Sequence, residues 1–336
     1  MKNKHIVFTT DRTAELQECT VREPADHEVL VKMKYTAISN GTEKANLGES
    51  RQNVGTLPCV LGYSGSGVVT AAGKGVTRFQ VGDRVAGTWG NHAAYMTYPE
   101  TNLTKIPDSV SFDVAALAQI STFPMTAIRK TNVSLGESAI VMGLGILGIF
   151  AVQLLKAAGA VPVIAVDPTE KRRLLALELG ADYAFDPTEP DFAAKVKACT
   201  DGGANAAIEV TGLGKGLDQV LDCMAKFGRV ALLGCTRNFD FNIDYYRKVH
   251  VPGITLIGAH TNARPSVESR TECWTHEDDK KAYFRLITGG RIHPDKLISE
   301  IHAPEEAYEV YERLKHDSDF PFGVLFHWEE ADDTEG

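Results

Sequence analysis

Residues 136–167 read GESAIVMGLGILGIFAVQLLKAAGAVPVIAVD, and the order of residue types in this stretch decides the fold around it. A short β-rich run, Ala139 to Met142, leads into Gly143-x-Gly145-x-x-Gly148. An Ala/Leu-rich helical stretch follows to Lys156, and a second strand, Val161 to Val166, ends on Asp167. The first glycine permits a tight turn, the second lets the backbone approach a pyrophosphate, and the third lets the helix pack on the sheet. Amides of Gly145, Ile146, Leu147 and Gly148 at the helix N-terminus then face the phosphates. Strand, glycines, helix, strand and a terminal acid together predict a dinucleotide grip far more specifically than the glycines alone.

Asp167 sets the choice of dinucleotide. Its carboxylate can accept from both adenosine ribose hydroxyls and would repel a 2′-phosphate, so the expected cofactor is NAD. Arg172 and Arg173 follow within two helical turns and soften this repulsion, while Pro168 occupies the place where an NADP enzyme often carries arginine. A second glycine cluster, Gly212-Leu-Gly214-Lys215-Gly216, is not a P-loop, because Gly rather than Ser or Thr follows the lysine and the spacing is wrong.

At 336 residues, with 43% hydrophobic and 24% charged residues, the chain is long enough for about two domains and a large core. A net charge of −9 leaves no electrostatic footprint for nucleic acid or an anionic membrane surface. No stretch approaches about 18 consecutive apolar residues, and the first residues, MKNKHIVFTTDRT, lack a signal-peptide core; the expected location is the cytoplasm. Cysteines at 19, 59, 199, 223, 235 and 273 form no CxxC pair and read as reduced thiols.

Short alternating runs separated by turn residues, such as His27 to Tyr35, Ser66 to Ala72 and Asp83 to Ala86, read as a compact β domain. From about Phe112 helices alternate with apolar strands through Ile257, the pattern of a doubly wound parallel sheet of about six strands. The expected elements include helix Leu174 to Leu179, strand Tyr183 to Phe185, helix Phe192 to Cys199, strand Ala206 to Val210, helix Gly216 to Phe227, and strands Arg229 to Leu233 and Ile254 to Ile257. A polar stretch, His260 to Cys273, precedes helices at Lys280 to Thr288 and Glu305 to His316, a closing strand within Phe322 to Trp328, and an acidic tail, EEADDTEG, that reads as disordered. The expected division is residues 1–118, 119–264 and 265–336, the last returning to the first domain. Strand Ile254 to Ile257 reads as a sheet edge, which favours a homodimer or homotetramer.

A β domain, a dinucleotide sheet and a return to the β domain resemble the medium-chain dehydrogenase/reductase superfamily, of the zinc-type alcohol dehydrogenase-like kind. VTAAGKGVTRFQVGDRV at Val69 to Val85, with Gly73, Gly75, Gly82 and Asp83, is similar to the family's GroES-like turn and strand pair. Leu61-Gly62-Tyr63-Ser64-Gly65 occupies the family's Gly-His-Glu segment. The resemblance implies an α/β architecture: a GroES-like β domain plus a Rossmann domain, with the active site in the cleft between them. It also implies a nicotinamide held near Thr211, Gly234, Cys235, Gly258, Ala259 and His260, with Gly323 in the closing strand and Thr122 close to the nicotinamide ribose.

The departures from the family pattern carry as much information. Catalytic zinc needs three deprotonated N, S or O ligands and an open position. Here the first position falls in Ser39-Asn40-Gly41-Thr42-Glu43, the histidine becomes Tyr63, and the third position is Gln119. Asn, Tyr and Gln are not usual zinc ligands, and the four-cysteine structural lobe is missing, so no metal is expected. The loop at 39–43 and Phe320-Pro-x-Gly-Val324 resemble a branch whose members oxidise secondary hydroxyls of sugars, glycosides and polyols.

Without zinc to lower the alcohol's pKa, a side chain must act as general acid/base. Tyr63 is the first candidate, although a phenol near pKa ~10 needs a nearby positive charge to act as base. Glu43 and His92 are alternatives. Asn40, Thr42, Lys44, Asn91, Gln119 and His260 are expected to line the substrate side, where each hydroxyl must find a partner when desolvated. Each of these also has a plain structural reading: Tyr63 as a packed ring, Glu43 and Lys44 as surface charges, the histidines as structural, and Gln119, Ser121 and Thr122 as capping and packing residues. The leading expectation is reversible, NAD-dependent oxidation of a ring hydroxyl to a ketone. A zinc-free quinone or enoyl reductase and a non-catalytic NAD(H)-binding protein are the competing readings.

Overall fold

The computed structural model describes residues 1–48, 56–236 and 238–328; the acidic tail at 329–336 lies outside the described residues. The chain divides into two units, Met1–Ile120 with Lys280–Gly289 and Pro294–Gly336, and Ser121–Asp279 with Gly290–His293. Among the described residues, no helix is long and apolar enough to cross a membrane.

The first unit opens with an antiparallel hairpin of β1 (Lys2–Phe8) and β2 (Ala14–Thr20). Next come β3 (Glu28–Ala37), α1 (Asn40–Leu47), β4 (Ser64–Ala72), β5 (Arg84–Thr88), β6 (Tyr95–Pro99), β7 (Leu103–Lys105) and α2 (Phe112–Ala116). Alternation along these strands sends Val29, Val31 and Met33 of β3 and Ile6 and Phe8 of β1 into one apolar core. Antiparallel pairing sets β4 against β3 and β5, placing Ser64 opposite Thr88 and Thr36 opposite Gly65. The residues flanking Tyr63 are thereby tied to two strands at once.

The second unit follows from the glycine run. α3 (Ala118–Thr131) leads to β8 (Ala139–Met142), α4 (Ile146–Ala158), β9 (Val163–Val166), α5 (Glu170–Glu178), β10 (Tyr183–Phe185), α6 (Phe192–Ala198), β11 (Ala204–Glu209), α7 (Gly214–Asp222), β12 (Met224–Leu232), β13 (Thr255–Gly258) and then α8 (His276–Thr288), whose residues from Lys280 onward belong to the first unit. The six strands β8 to β13 pair in parallel in the order β10-β9-β8-β11-β12-β13. The chain steps outward from β8 first one way and then the other, the arrangement of a complete doubly wound sheet. The strands are continuous apolar runs, as burial on both faces demands: all four residues of β8 and of β9 are buried.

Several boundaries differ from the sequence reading: β9 starts at Val163 rather than Val161, α5 at Glu170 rather than Leu174, and two further differences concern α7 and α8. The helix expected over Gly216 to Phe227 ends at Asp222, and Met224 already begins β12, which shifts register against β11 between Ala204 and Ala206. Met224 pairs with Ala204 of β11, and Phe227, at φ 62°, gives its N–H to the Pro252 carbonyl, so the helical pattern does not continue through these residues. α8 starts at His276 rather than Lys280, with Glu277, Asp278 and Asp279 in its first turn, where carboxylates favour the positive end of the helix dipole.

After α8 the first unit is completed by β14 (Glu300–His302), α9 (Ala307–His316) and β15 (Val324–His327). They extend its sheet to the order β14-β15-β3-β4-β5-β7, with β6 also on β3. Gly323, expected near the cofactor, has a local reason to be glycine: at φ 71° its missing Cβ would stand 1.8 Å from the Leu297 carbonyl oxygen.

The glycine run makes two distinguishable stability predictions. A Cβ on Gly148 would lie 1.9 Å from the Gly143 carbonyl oxygen, whereas one on Gly145 would meet nothing within 4 Å. Gly148→Ala is expected to cost about 2 kcal/mol or more in urea unfolding. Gly145→Ala should stay within about 0.5 kcal/mol of the parent protein.

Candidate active site

The centre of the first unit is a buried carboxylate. Ser39 precedes α1, and its backbone N–H donates to Glu43 Oε1 at 2.8 Å while the Glu43 N–H donates back to the Ser39 carbonyl at 2.8 Å. The helix start is therefore closed by Glu43, and the Ser39 hydroxyl is not used as a cap. Glu43 is 1% exposed and His92 0%. Tyr311 of α9 donates its hydroxyl to Glu43 Oε2 at 2.5 Å, and His92 Nε2 lies 3.3 Å from the same oxygen. Burial, with Glu43 alongside, raises the Tyr311 phenol well above its ordinary value, so it remains a donor.

Hydrogen-bond direction runs consistently through this cluster. Trp328 Nε1 has only a proton to give and donates to Thr36 Oγ1 at 2.9 Å. Thr36 Oγ1 lies 2.8 Å from His92 Nδ1. With the hydroxyl donating to Nδ1, the His92 proton sits on Nε2 and points at Glu43, and every member is satisfied at once. Gly62, at φ 104°, belongs to the same assembly, because a Cβ there would come within 2.9 Å of the His92 ring.

This framework holds the half-buried Tyr63. Its hydroxyl lies 2.5 Å from Ser39 Oγ, and its carbonyl accepts from the Trp89 N–H at 3.2 Å. Trp89 is 44% exposed at φ 60°, with its ring centroid 6.0 Å from that of Tyr63. A non-glycine residue held in the left-handed region is a strained conformation of the kind that clusters at functional sites. Tyr63, Glu43 and His92 are thus joined through Ser39, with Tyr63 at the accessible end and the other two in the interior.

The other expected substrate-side residues have definite places. Asn40 donates from Nδ2 to the Pro321 carbonyl at 2.8 Å, which turns its buried Oδ1 the other way, without a hydrogen-bond partner among the described residues. Gln119 is buried and accepts from Thr88 Oγ1 at 2.9 Å. Thr42 is half-buried and uses its carbonyl to accept from Asn46, while Lys44 is exposed and reaches the Asp317 carbonyl. Asn91 lines a groove of about 430 Å³ with His5, Arg22, Trp89 and Tyr95. Ser39, Thr36, Thr88, Tyr311 and Trp328 were missed by sequence reasoning; only Ser39 had a local signal, its place directly before the Asn-Gly-Thr-Glu run.

These residues do not fit zinc. At the three ligand positions implied by the family pattern stand an asparagine, a phenol bonded to Ser39 and an amide whose oxygen is bonded to Thr88. Among the described residues no group of three or more His, Cys, Asp or Glu side chains is placed to hold a metal.

The second unit holds the features of a dinucleotide cradle. Gly143, at φ 97°, turns the chain from β8 into α4, whose first turn carries Gly145, Ile146, Leu147 and Gly148. Space beside Gly145 is open, as close approach of a pyrophosphate requires. Asp167, at the end of β9, accepts from the Leu144 N–H at 2.9 Å and the Thr169 N–H at 2.8 Å. A carboxylate has about four lone-pair sites, so these two donors do not exhaust it. Arg172 stands 3.9 Å from Asp167 Oδ2, and Arg173 grips the Asp167 and Pro168 carbonyls.

Thr211, Gly234, Cys235, Gly258, Ala259 and His260 lie at or beyond the C-terminal ends of the parallel strands, where doubly wound sheets take ligands. Thr211 follows β11 and gives both its N–H and its hydroxyl to Glu209. Burial raises the Glu209 carboxyl, and these donors together with the Gly212 N–H pull it down. Gly234 packs against Gly212 so closely that a Cβ would come within 2.3 Å of the Gly212 nitrogen. Cys235, Gly258 and His260 are exposed, and Ala259 is buried with its N–H on the Leu232 carbonyl. Thr122 is buried in α3, its hydroxyl 3.2 Å from His276 Nδ1.

Two family models match the chain: an alcohol dehydrogenase GroES-like domain over residues 25–108 and a zinc-binding dehydrogenase domain over residues 147–273. The chain is 30% identical to L-threonine 3-dehydrogenase of Pyrococcus abyssi over 332 residues, covering 88% of this chain and 90% of that protein. It is 25% identical to D-guloside 3-dehydrogenase of Escherichia coli over 353 residues, covering 96% of this chain and all of that protein. Benzyl alcohol dehydrogenase from Acinetobacter calcoaceticus has the same fold, with a TM-score of 0.84 at 24% identity over 97% of this chain and 99% of that one. The chain belongs to the medium-chain dehydrogenase/reductase superfamily, in its zinc-type alcohol dehydrogenase-like class, and is an oxidoreductase.

The buried carboxylate is testable by itself. Glu43→Gln puts an amide donor among the Tyr311, His92 and Ser39 donors, and the expected cost is about 3 kcal/mol. Chemical denaturation of the purified variant would read this as a lower midpoint at an unchanged slope.

Proposed function

We propose that the protein oxidises a secondary ring hydroxyl of a sugar, glycoside or polyol to a ketone, reversibly, with NAD and without zinc. The observation that carries this reading is the 2.5 Å Tyr63–Ser39 hydroxyl couple, which stands where zinc-type relatives carry a ligating histidine. Tyr63 is the general acid/base, exchanging a proton with the reacting hydroxyl, and Ser39 supports its unprotonated form with a hydrogen bond. Glu43 and His92 act behind this pair by fixing Ser39 and Gly62.

Asn40 Oδ1 is a buried acceptor suited to a substrate O–H, and the Gln119 amide is a second polar group for a substrate with many hydroxyls. The similarity to D-guloside 3-dehydrogenase favours such a substrate. NAD, when bound, accepts the hydride. The α4 N-terminus would hold its pyrophosphate and Asp167 its adenosine ribose. Asp167 favours NAD over NADP because a 2′-phosphate would meet its carboxylate.

Purified protein incubated with a panel of sugars, glycosides and cyclitols should form NADH, followed by absorbance, with NAD strongly preferred to NADP. Tyr63→Phe should lower the rate on the order of 10²-fold or more while leaving the fold intact. An enzyme that turns over no polyol, yet reduces a quinone with NADPH, would contradict the proposal.

A further inference from the structure

The turn that carries Trp89 is fixed on both sides. The Trp89 N–H donates to the Tyr63 carbonyl at 3.2 Å, and the Asn91 N–H donates to Met96 Sδ at 3.1 Å. Between them Gly90 packs so closely that a Cβ would stand 2.4 Å from Tyr98 Oη. Trp89 is thereby kept at φ 60°, with 44% of its surface exposed. An exposed indole on so fixed a turn is a platform for a ligand, because little backbone freedom is lost when one packs on it.

Trp89 lines the groove of about 430 Å³, a volume in the range of small-molecule sites, together with residues of the β1–β2 hairpin and of β6. Two polar side chains of the lining, the Asn91 carboxamide and the half-buried His5 imidazole, make no hydrogen bond among the described residues. Burial lowers the His5 pKa, so the ring is neutral near pH 7 and offers one N–H and one acceptor nitrogen; the carboxamide likewise offers both. Arg22 is the only Lys, Arg, Asp or Glu of the lining among the described residues, and its guanidinium is held by the Glu28 carboxylate, with Nη2 on Oε1 at 2.6 Å. An anion would find no free cation here. Neutral donors and acceptors beside an aromatic ring match an uncharged sugar, whose hydroxyls need partners when desolvated and whose C–H face packs on an indole.

The Trp89 ring centroid is 6.0 Å from that of Tyr63, so one indole belongs both to the groove and to the surroundings of the acid/base. We propose that the groove is the subsite for the second ring of a glycoside whose first ring carries the hydroxyl presented to Tyr63. The second ring packs its C–H face on Trp89 and exchanges hydrogen bonds with His5 and Asn91. Two-ring glycosides are then better substrates than single sugars. This inference rests on the reading of the protein as a dehydrogenase of sugar hydroxyls.

The test measures NADH formation by the full chain with cellobiose, maltose and lactose against the one-ring methyl glucoside and methyl galactoside. For at least one two-ring sugar, kcat/KM should exceed that of its one-ring counterpart at least about tenfold, because contacts far from the reacting carbon add to transition-state binding. Trp89→Ala and His5→Ala should each bring this ratio below about threefold, with unfolding midpoints showing that the variants are folded. A ratio near one in the parent protein, or a ratio that both folded variants leave unchanged, would overturn the proposal.

An independent arm follows the Trp89 indole N–H signal in ¹⁵N–¹H spectra of the protein without NAD, assigned by its loss in Trp89→Phe. Millimolar cellobiose, maltose or lactose should move it in the parent protein and fail to move it in His5→Ala. A signal that none of the three sugars moves overturns the proposal. A parent protein that oxidises none of the sugars overturns the functional reading instead, and the indole signal then decides alone whether the groove takes a sugar ring.

Discussion

The carboxyl group of Glu43 cannot be carried into a protein interior unless hydrogen-bond partners replace the water it loses. That requirement organises the first unit. The donors come from a backbone N–H at the start of α1, a histidine before β6 and a tyrosine on α9, positions up to 268 residues apart. Thr36 and Trp328 then complete the far side of His92. If these elements part, the carboxylate and its donors are stranded together, so the return of the chain after α8 is a condition of the site and not an appendage to it.

The same constraint orders the chemistry. With Glu43 closing the helix start, the Ser39 hydroxyl is released to meet Tyr63, and with His92 fixed, Gly62 and Tyr63 are held against it. Two buried side chains anchor neighbouring parts of the first unit: Glu43 beneath Ser39, and Lys280 beneath Thr88.

The two halves of the function were written in the sequence in different ways. Gly143, Gly145, Gly148 and Asp167 lie within 25 consecutive residues, because turn, helix start and strand end are local structures; their spacing alone predicts the doubly wound sheet and its cradle. Asn40, Tyr63 and Gln119 became noticeable only against a family pattern. The sequence placed Glu43 and His92 among the chemistry but contained nothing to say that they are buried, since burial depends on α9 and β15 closing over them. Lys280 was legible only as one charged residue of a helix. Its partners include Thr88 and Asn102, almost 200 residues earlier, and no local period encodes such a meeting. The overrun of α7 into β12 has a similar origin, because partners distant in sequence, Ala204 for Met224 and the Pro252 carbonyl for the Phe227 N–H, decide where the helix stops.

The central proposal is that proton removal here is done by the Tyr63–Ser39 hydroxyl pair in place of a metal. Metal analysis of the active enzyme before and after exhaustive chelation tests it most directly. The account predicts zinc well below one atom per chain and a rate of hydroxyl oxidation unchanged by the chelator. A rate that falls with loss of one tightly bound zinc per chain and returns when zinc is restored would contradict it.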